Sequence, residues 1–461
     1  MPNLVKDFIQ RSSTKSYDAL HRQKINNNIG KYNAKVPEGK KQFADVDLVR
    51  ERAKNLKWRA IENLDQTLET FETNFTANGG TLLWAETAAE AAQLVLDICK
   101  QENCTTLVKS KSMVTEEIKL NEVMEANGIT SVETDLGEYI QQLDGEAPYH
   151  IVTPAMHKSK EDVAKLFEEK LGTAPNLSPE KLTLIARENL RSKYTEAQVG
   201  VTGANFIIAD TGSIAISENE GNARLSLAFP KTHIVVVGIE KVINNLTDLH
   251  LFWPLLSTFG TGQTLTVYNT IVSGPAKENE TDGPTKMIVI LLDNGRTNML
   301  KNPITRESLY CIRCGACLNA CPVYKNIGGH TYNTTYSGPI GSVITPQMHG
   351  QKEWKHLSYA SSLCGACTSV CAVKINLHEL LLQNRAESVQ EHTTTLTENL
   401  GWMLWKKAML NRSMMNMGNA SLKNKVVNTV FTSWKNNRSK LEFPAETFNE
   451  IWQRQHNNKT K

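Results

Sequence analysis

The sequence predicts an α/β domain with a largely parallel sheet, preceded by a helical region and followed by a compact cysteine-rich module and a helical tail. Three observations predict it. Short β-branched runs alternate with amphipathic stretches between about residues 76 and 300, seven of the nine cysteines fall between Cys311 and Cys371, and both ends combine helical spacing with an excess of Lys and Arg. A length of 461 residues suits two to four domains, and 40% hydrophobic with 21% charged residues excludes a disordered, collagen-like or coiled-coil chain.

Residues 1–75 read as helical, with apolar side chains at three- and four-residue spacing between Val46 and Phe75, and Asn78-Gly79-Gly80 closes that region. The α/β region, 76–300, opens with a strand at 81–84 and a helix at 86–103. Further strands are expected at 105–109, 131–133, 150–153, 204–209, 213–217, 233–238, 265–272 and 287–292. Their apolar runs suit strands covered on both faces. Residues 301–385 form the cysteine module, with 328–350 between its halves reading as loop from its Gly, Thr, Pro and Ser content. Residues 386–461 return to helical character. The longest apolar runs, 234–239 and 287–292, fall far short of the ~20 residues that cross a bilayer. The basic N-terminus lacks the apolar core of a signal peptide, so a cytoplasmic protein is expected.

Charge is unevenly spread. Residues 1–60 hold 14 Lys and Arg against 6 Asp and Glu, and 401–461 hold 11 against 3. Each end is therefore +8, and a net charge of +3 leaves the middle at −13. Basic ends offer contact to an acidic partner or, peripherally, to the anionic inner face of a membrane; a solvated surface is the plainer reading. No recognition motif accompanies the charge, so nucleic acid is not expected.

Clustered cysteines in a chain without an export signal point to metal binding rather than disulfides. Residues 311–322 read CIRCGACLNACP, placing Cys311, Cys314, Cys317, Cys321 and Pro322 in the C-x2-C-x2-C-x3-C-P spacing of two-cluster ferredoxins. Three thiolates at three-residue intervals can wrap one cubane, while the fourth turns away to a second cluster. A second motif, CGACTSVC, supplies Cys364, Cys367 and Cys371. Crossed ligation assigns Cys311, Cys314, Cys317 and Cys371 to cluster 1 and Cys321, Cys364 and Cys367 to cluster 2. Ser361 stands where the eighth cysteine belongs, and Ala372 where proline is expected. Cluster 1 is thus expected to be [4Fe-4S]. Cluster 2 is expected to be [3Fe-4S], or [4Fe-4S] with Ser361, a histidine, water or a partner group on the fourth iron. Zinc explains neither the odd number of cysteines nor the register. Cys99 and Cys104 read as small buried hydrophobes. With no nicotinamide, flavin or P-loop fingerprint, the cofactors imply one-electron transfer.

The strings KSKSMVTEEI (109–118), TPAMHKSKEDVAKLF (153–167), GANFIIADTGSIAISENEGNARL (203–225), CIRCGACLNACPVY (311–324) and SSLCGACTSVCAVKI (361–375) resemble the lactate-utilization protein B family of iron–sulfur proteins. The resemblance covers nearly the whole chain and implies a LUD domain with a fold like ribose-5-phosphate isomerase and CoA-transferase proteins, a two-cluster module and a short helical C-terminal domain. It also implies a role as one of several proteins that together oxidise L-lactate to pyruvate, with an electron acceptor and the other subunits as partners. Serine at 361 is similar to the family's own pattern.

Whether the α/β domain itself acts on lactate or another small acid, or the clusters are structural parts of a docking scaffold, are the alternatives. A small-acid site would draw on Lys109, Lys111 and His157 after strands, and on Asp210, Thr211, Gly212, Ser213, Glu218, Glu220, Asn222 and Arg224. The plainer reading makes these turn residues that satisfy backbone groups. In the tail, Trp402, Trp405, Trp434 and five methionines read as core beneath a basic outer face, with docking to a partner or membrane as the alternative.

Overall fold

The computed structural model describes residues 3–430, Trp434 and 438–457, and divides into one unit over residues 1–391 and another over 392–461.

In the first unit four helices, Leu4–Tyr17, Ala19–Lys40, Val46–Glu62 and Leu64–Ala77, precede the sheet. Asp18 and Asp45 divide them by capping: each carboxylate accepts N–H groups of the turn that follows, which satisfies donors a helix start leaves unpaired. Ten strands follow: β1 (Thr81–Ala85), β2 (Thr106–Lys109), β3 (Thr130–Glu133), β4 (Val199–Thr202), β5 (Phe206–Ile208), β6 (Ser213–Glu218), β7 (Thr232–Gly238), β8 (Val242–Ile243), β9 (Tyr268–Val272) and β10 (Lys286–Leu292). Six form a wholly parallel sheet in the order β1-β10-β7-β4-β2-β3. The other four make a mixed sheet, β8-β5-β6-β9. All seven residues of β7 are buried, as a central parallel strand covered on both faces requires.

Most expected strands form within a residue or two, and three expectations fail for identifiable reasons. Residues 150–153 do not pair: His150 Nδ1 accepts the N–H groups of Val152 (3.1 Å) and Thr153 (3.2 Å), which curls the chain into a turn. Residues 328–350 are not simply loop. They contain the helix Gly338–His349, with Pro339 in its first turn and Ile340, Val343 and Ile344 buried along one face. Strand β4 has no counterpart among the expected strands because Gly200 weakens its signal. That glycine is needed, since a Cβ there would lie 1.8 Å from the Ser226 carbonyl oxygen.

One apolar core runs through the N-terminal helices (Ile25, Phe71), the mixed sheet (Ile207, Ile214) and the cysteine module (Leu318, Tyr324). A second core, between helices and the parallel sheet, takes in Cys99 and Cys104, both buried.

Burial also sets a pH dependence. His233 is fully buried on β7 and His150 is 2% exposed; burial pushes both imidazoles down to about 3. The unfolded chain takes up these protons near pH 6.5 and the folded one does not, so stability is complete above that pH and falls below it. Each histidine is expected to cost about 2 kcal/mol by pH 5. A denaturant midpoint that holds constant between pH 7 and 5 contradicts this, and His233→Asn should remove part of the fall.

In the second unit the helices Leu396–Leu410, Arg412–Asn416 and Ala420–Val430 carry no buried residue, and Trp402 and Trp405 are 61% and 55% exposed. Taken by itself, this unit shows no core of Trp and Met among its described residues, since helices this short do not enclose one another's apolar faces. No helix among the described residues is long and apolar enough to cross a membrane.

Candidate metal centre

The two cysteine loops share one backbone form. In the first, Arg313 and Gly315 have φ of 61° and 79°; in the second, Leu363 and Gly365 have 53° and 75°. Glycine takes that conformation without a Cβ clash and starts a short helix, Ala316–Ala320 or Ala366–Ser369, which carries the third cysteine of the first loop and its counterpart Cys367 in the second. Backbone N–H groups then face sulfur. Arg313 donates to Cys311 Sγ (3.4 Å), Tyr324 to Cys321 Sγ (3.4 Å) and Ile375 to Cys371 Sγ (3.3 Å). In the second loop the Leu363 N–H donates to Ser361 Oγ (3.1 Å), so Ser361 occupies the corner that Cys311 holds in the first. Ala372, which stands where proline was expected, directs its N–H at the Cys314 sulfur, a donor that proline lacks.

Cys311, Cys314, Cys317 and Cys371 line one small space with apolar walls that include Ile151, Ile340, Val373 and Leu377. Cys321 interacts with Cys364 and Cys367 instead. The two sets differ in exposure: Cys317 and Cys371 are buried, whereas Cys364 is exposed. Burial pushes the Cys314 and Cys371 thiols up to about 12 and raises Cys317 well above the usual thiol value. Such thiols keep their protons unless a soft cation displaces them. Four sulfurs in a dry pocket, met by N–H donors, are a donor set that fits an iron–sulfur cluster.

A buried ionic network holds the first loop against the α/β domain. Arg296, 1% exposed, makes paired hydrogen bonds to Glu117 (both 2.9 Å) and bonds Glu240 as well. Glu117 also accepts from Tyr336 (2.6 Å) and Asn294 (2.7 Å). Glu240 faces the Arg313 guanidinium at 3.4 Å, which lies 4.3 Å from the centre of the Tyr336 ring. Burial alone would raise Glu240, but Arg296, Arg313 and Lys241 outweigh it and hold the carboxyl at about 2.

A cavity of about 380 Å³ adjoins this loop, with Arg313 and Cys314 in its wall. It lies beyond the carboxyl ends of β2, β4 and β7, where ligands settle in parallel α/β sheets: Ser110 and Lys111 follow β2, Gly203 and Asn205 follow β4, and Lys241 follows β7. Of the residues named from the sequence, Lys111, Glu218, Glu220 and Asn222 reach it. The others do not. Lys109 is fully buried in ion pairs with Glu116 (2.8 Å) and Glu133 (2.7 Å), and so cannot offer charge to a ligand. His157 bonds Glu146 (3.0 Å) and stacks on Tyr149. Asp210 accepts the Leu246 N–H and Gly212 packs against the backbone of Asn74 and Phe75, both as turn residues, while Ser213 opens β6 and bonds Ser273. Arg224 lies against the Tyr268 ring. Sequence reasoning missed Lys241, Arg313 and the Glu117–Arg296–Glu240 network. The one available signal was a charged pair, Glu240-Lys241, closing the apolar run of β7.

Comparison with known proteins agrees with this architecture. The LUD domain family model matches residues 68–292 and a 4Fe-4S dicluster domain model matches 307–375. Lactate utilization protein B of Bacillus velezensis is 45% identical over 371 residues, covering 80% of this chain and 78% of that protein. The Bacillus subtilis protein of that name is 43% identical, covering 83% and 80%. A crystal structure of a DUF162 family protein from Deinococcus radiodurans matches 50% of this chain and 98% of its own at 14% identity and a TM-score of 0.27, too remote to bear on function. With a LUD domain, a dicluster cysteine module and this identity along most of its length, the chain belongs to the lactate utilization protein B family.

Proposed function

We propose that this chain is the iron–sulfur electron-transfer component of a multi-protein system that oxidises L-lactate to pyruvate, with other subunits and an electron acceptor as its partners. The carrying observation is that seven cysteines, from two loops of one backbone form, divide into four that line one small space and three that include the exposed Cys364. Cys311, Cys314, Cys317 and Cys371 would hold one cluster, and Cys321, Cys364 and Cys367 the other, with Ser361 beside its open corner. Bound clusters of this kind supply one-electron transfer. The residues around them do the rest. Backbone N–H groups stabilise sulfur charge, the apolar wall excludes water from the first set, and exposure of Cys364 leaves the second set open to a partner.

Anaerobic reconstitution with iron and sulfide counting, followed by EPR of the reduced protein, tests this. Two redox-active centres are expected, and Cys364→Ser should remove one while sparing the other. Clusters that do not change on reduction would sink the electron-transfer reading and leave a structural role. Lactate-dependent reduction of the isolated chain would favour direct catalysis by the LUD domain.

A further inference from the structure

Behind the first cysteine loop, buried cations gather around Glu240. Lys57, 1% exposed, donates to the Glu240 carbonyl (2.5 Å) and the Val242 carbonyl (3.0 Å). Lys241 is 6% exposed; among the described residues its ammonium group makes no ion pair, although the Glu240 carboxylate lies near enough to favour its charge. Arg296 and Arg313 complete the group, and Glu117 and Glu240 are the carboxylates that meet them. Asp135, Glu218 and Glu220, which line the adjoining cavity, accept backbone N–H groups, and among the described residues they pair with none of these four cations. Four cations share two carboxylates, so the group keeps an excess of positive charge in the interior, where charge is costly.

That excess acts on the first cysteine set. Arg313 lines the small space of Cys311, Cys314, Cys317 and Cys371, and its backbone N–H donates to Cys311 Sγ (3.4 Å). Negative charge on Cys311 favours the protonated form of Lys57, Lys241 and Arg313 alike, and the attraction is mutual. The other set differs: half-buried Lys325 is the cation that favours charge on Cys321, and Cys364 is open to solvent, which screens. An apolar wall by itself opposes reduction, because it penalises each added negative charge. Buried cations oppose that penalty with little screening.

We propose that Lys57, Lys241 and Arg313 form a fixed positive field that raises the reduction potential of the cluster held by the first cysteine set. This rests on the electron-transfer reading above. The two lysines are positioning residues that hold no iron and act through the sulfurs, so that one electron from a partner can be accepted within a dry wall.

EPR-monitored redox titration of the full-length, anaerobically reconstituted protein, with dithionite as reductant, tests the field. The first cluster's signal is the one that Cys371→Ser removes. In Lys241→Gln its equilibrium constant for reduction should fall about tenfold or more, a midpoint lower by about 59 mV or more for one electron. Lys57→Gln should shift it the same way. Lys241→Arg, which restores the charge, should restore the midpoint, and the second cluster's midpoint should hold in all three. An unmoved or raised midpoint with iron intact overturns the proposal, as does an equal shift of both clusters or a shift in Lys241→Arg as large as in Lys241→Gln. If Lys241→Gln does not retain the first cluster, Lys57→Gln decides; a cluster retained in neither variant overturns the proposal in favour of a structural role. Clusters that do not reduce at all refute the electron-transfer reading together with the field, whereas redox-active clusters indifferent to both lysines refute the field alone.

Discussion

Replacing Cys371 with serine is expected to abolish the cluster held by the first cysteine loop, although Cys371 belongs to the second. Its sulfur lies in the space lined by Cys311, Cys314 and Cys317, accepts the Ile375 N–H, and is 8% exposed. Serine is a hard, weakly acidic ligand that replaces a soft thiolate poorly, and the apolar wall gives water no easy route to the open corner. The iron content should fall by about half, and the EPR signal that survives should be the one that Cys364→Ser removes. The opposite pattern, with the Cys364-dependent signal lost and the other retained, would show that each loop holds its own cluster.

The second large effect lies away from any cysteine. Arg296→Met should lower the first denaturant transition by about 3–5 kcal/mol, because it strands the Glu117 and Glu240 carboxylates in the interior without their cation. Glu117→Gln, which keeps shape and hydrogen bonding, should cost less. Iron retention is expected to drop with Arg296→Met as well, since Glu117 and Glu240 anchor Tyr336 and Arg313 beside the first loop. The network's own acid sensitivity is distinct from that of the histidines. With Glu240 held at about 2, its contribution is present above the usual carboxylate value of about 4.5 and is lost only as pH falls from there toward 2. An unchanged midpoint in Arg296→Met would mean that the ion pairs merely offset their desolvation.

Chemistry that depends on spacing was legible in one dimension. The three-residue intervals of Cys311, Cys314 and Cys317 survive folding because consecutive ligands on one tight loop need no distant element to bring them together. The duplicate loop, and the serine at its first corner, were visible for the same reason. So was the parallel sheet, since strands buried on both faces must be apolar throughout.

Where sequence reasoning failed, the deciding partner was remote. Lys109 carries the charge of a ligand-binding residue, but Glu133 and Glu138 close around it from β3 and the helix after it. Residues 328–350 look like loop by composition, yet Gly341 and Gly338 allow the approach of Tyr336 and Leu318 that packs a helix there. In the tail the Trp and Met residues have the composition of core, yet within that unit's described residues they do not enclose one another.

By itself, then, the sequence determined the cysteine ligand pattern, the strand-and-helix grammar and the family, because all three reside in local order and type. Only the tertiary structure decided that Arg296 buries its charge between Glu117 and Glu240, and that Lys241, Ser110 and Asn222 meet at one cavity beside Cys314. Those contacts link residues far apart in the chain. Their worth depends on burial and on which charges are left unpaired, quantities that exist only once the chain has closed on itself.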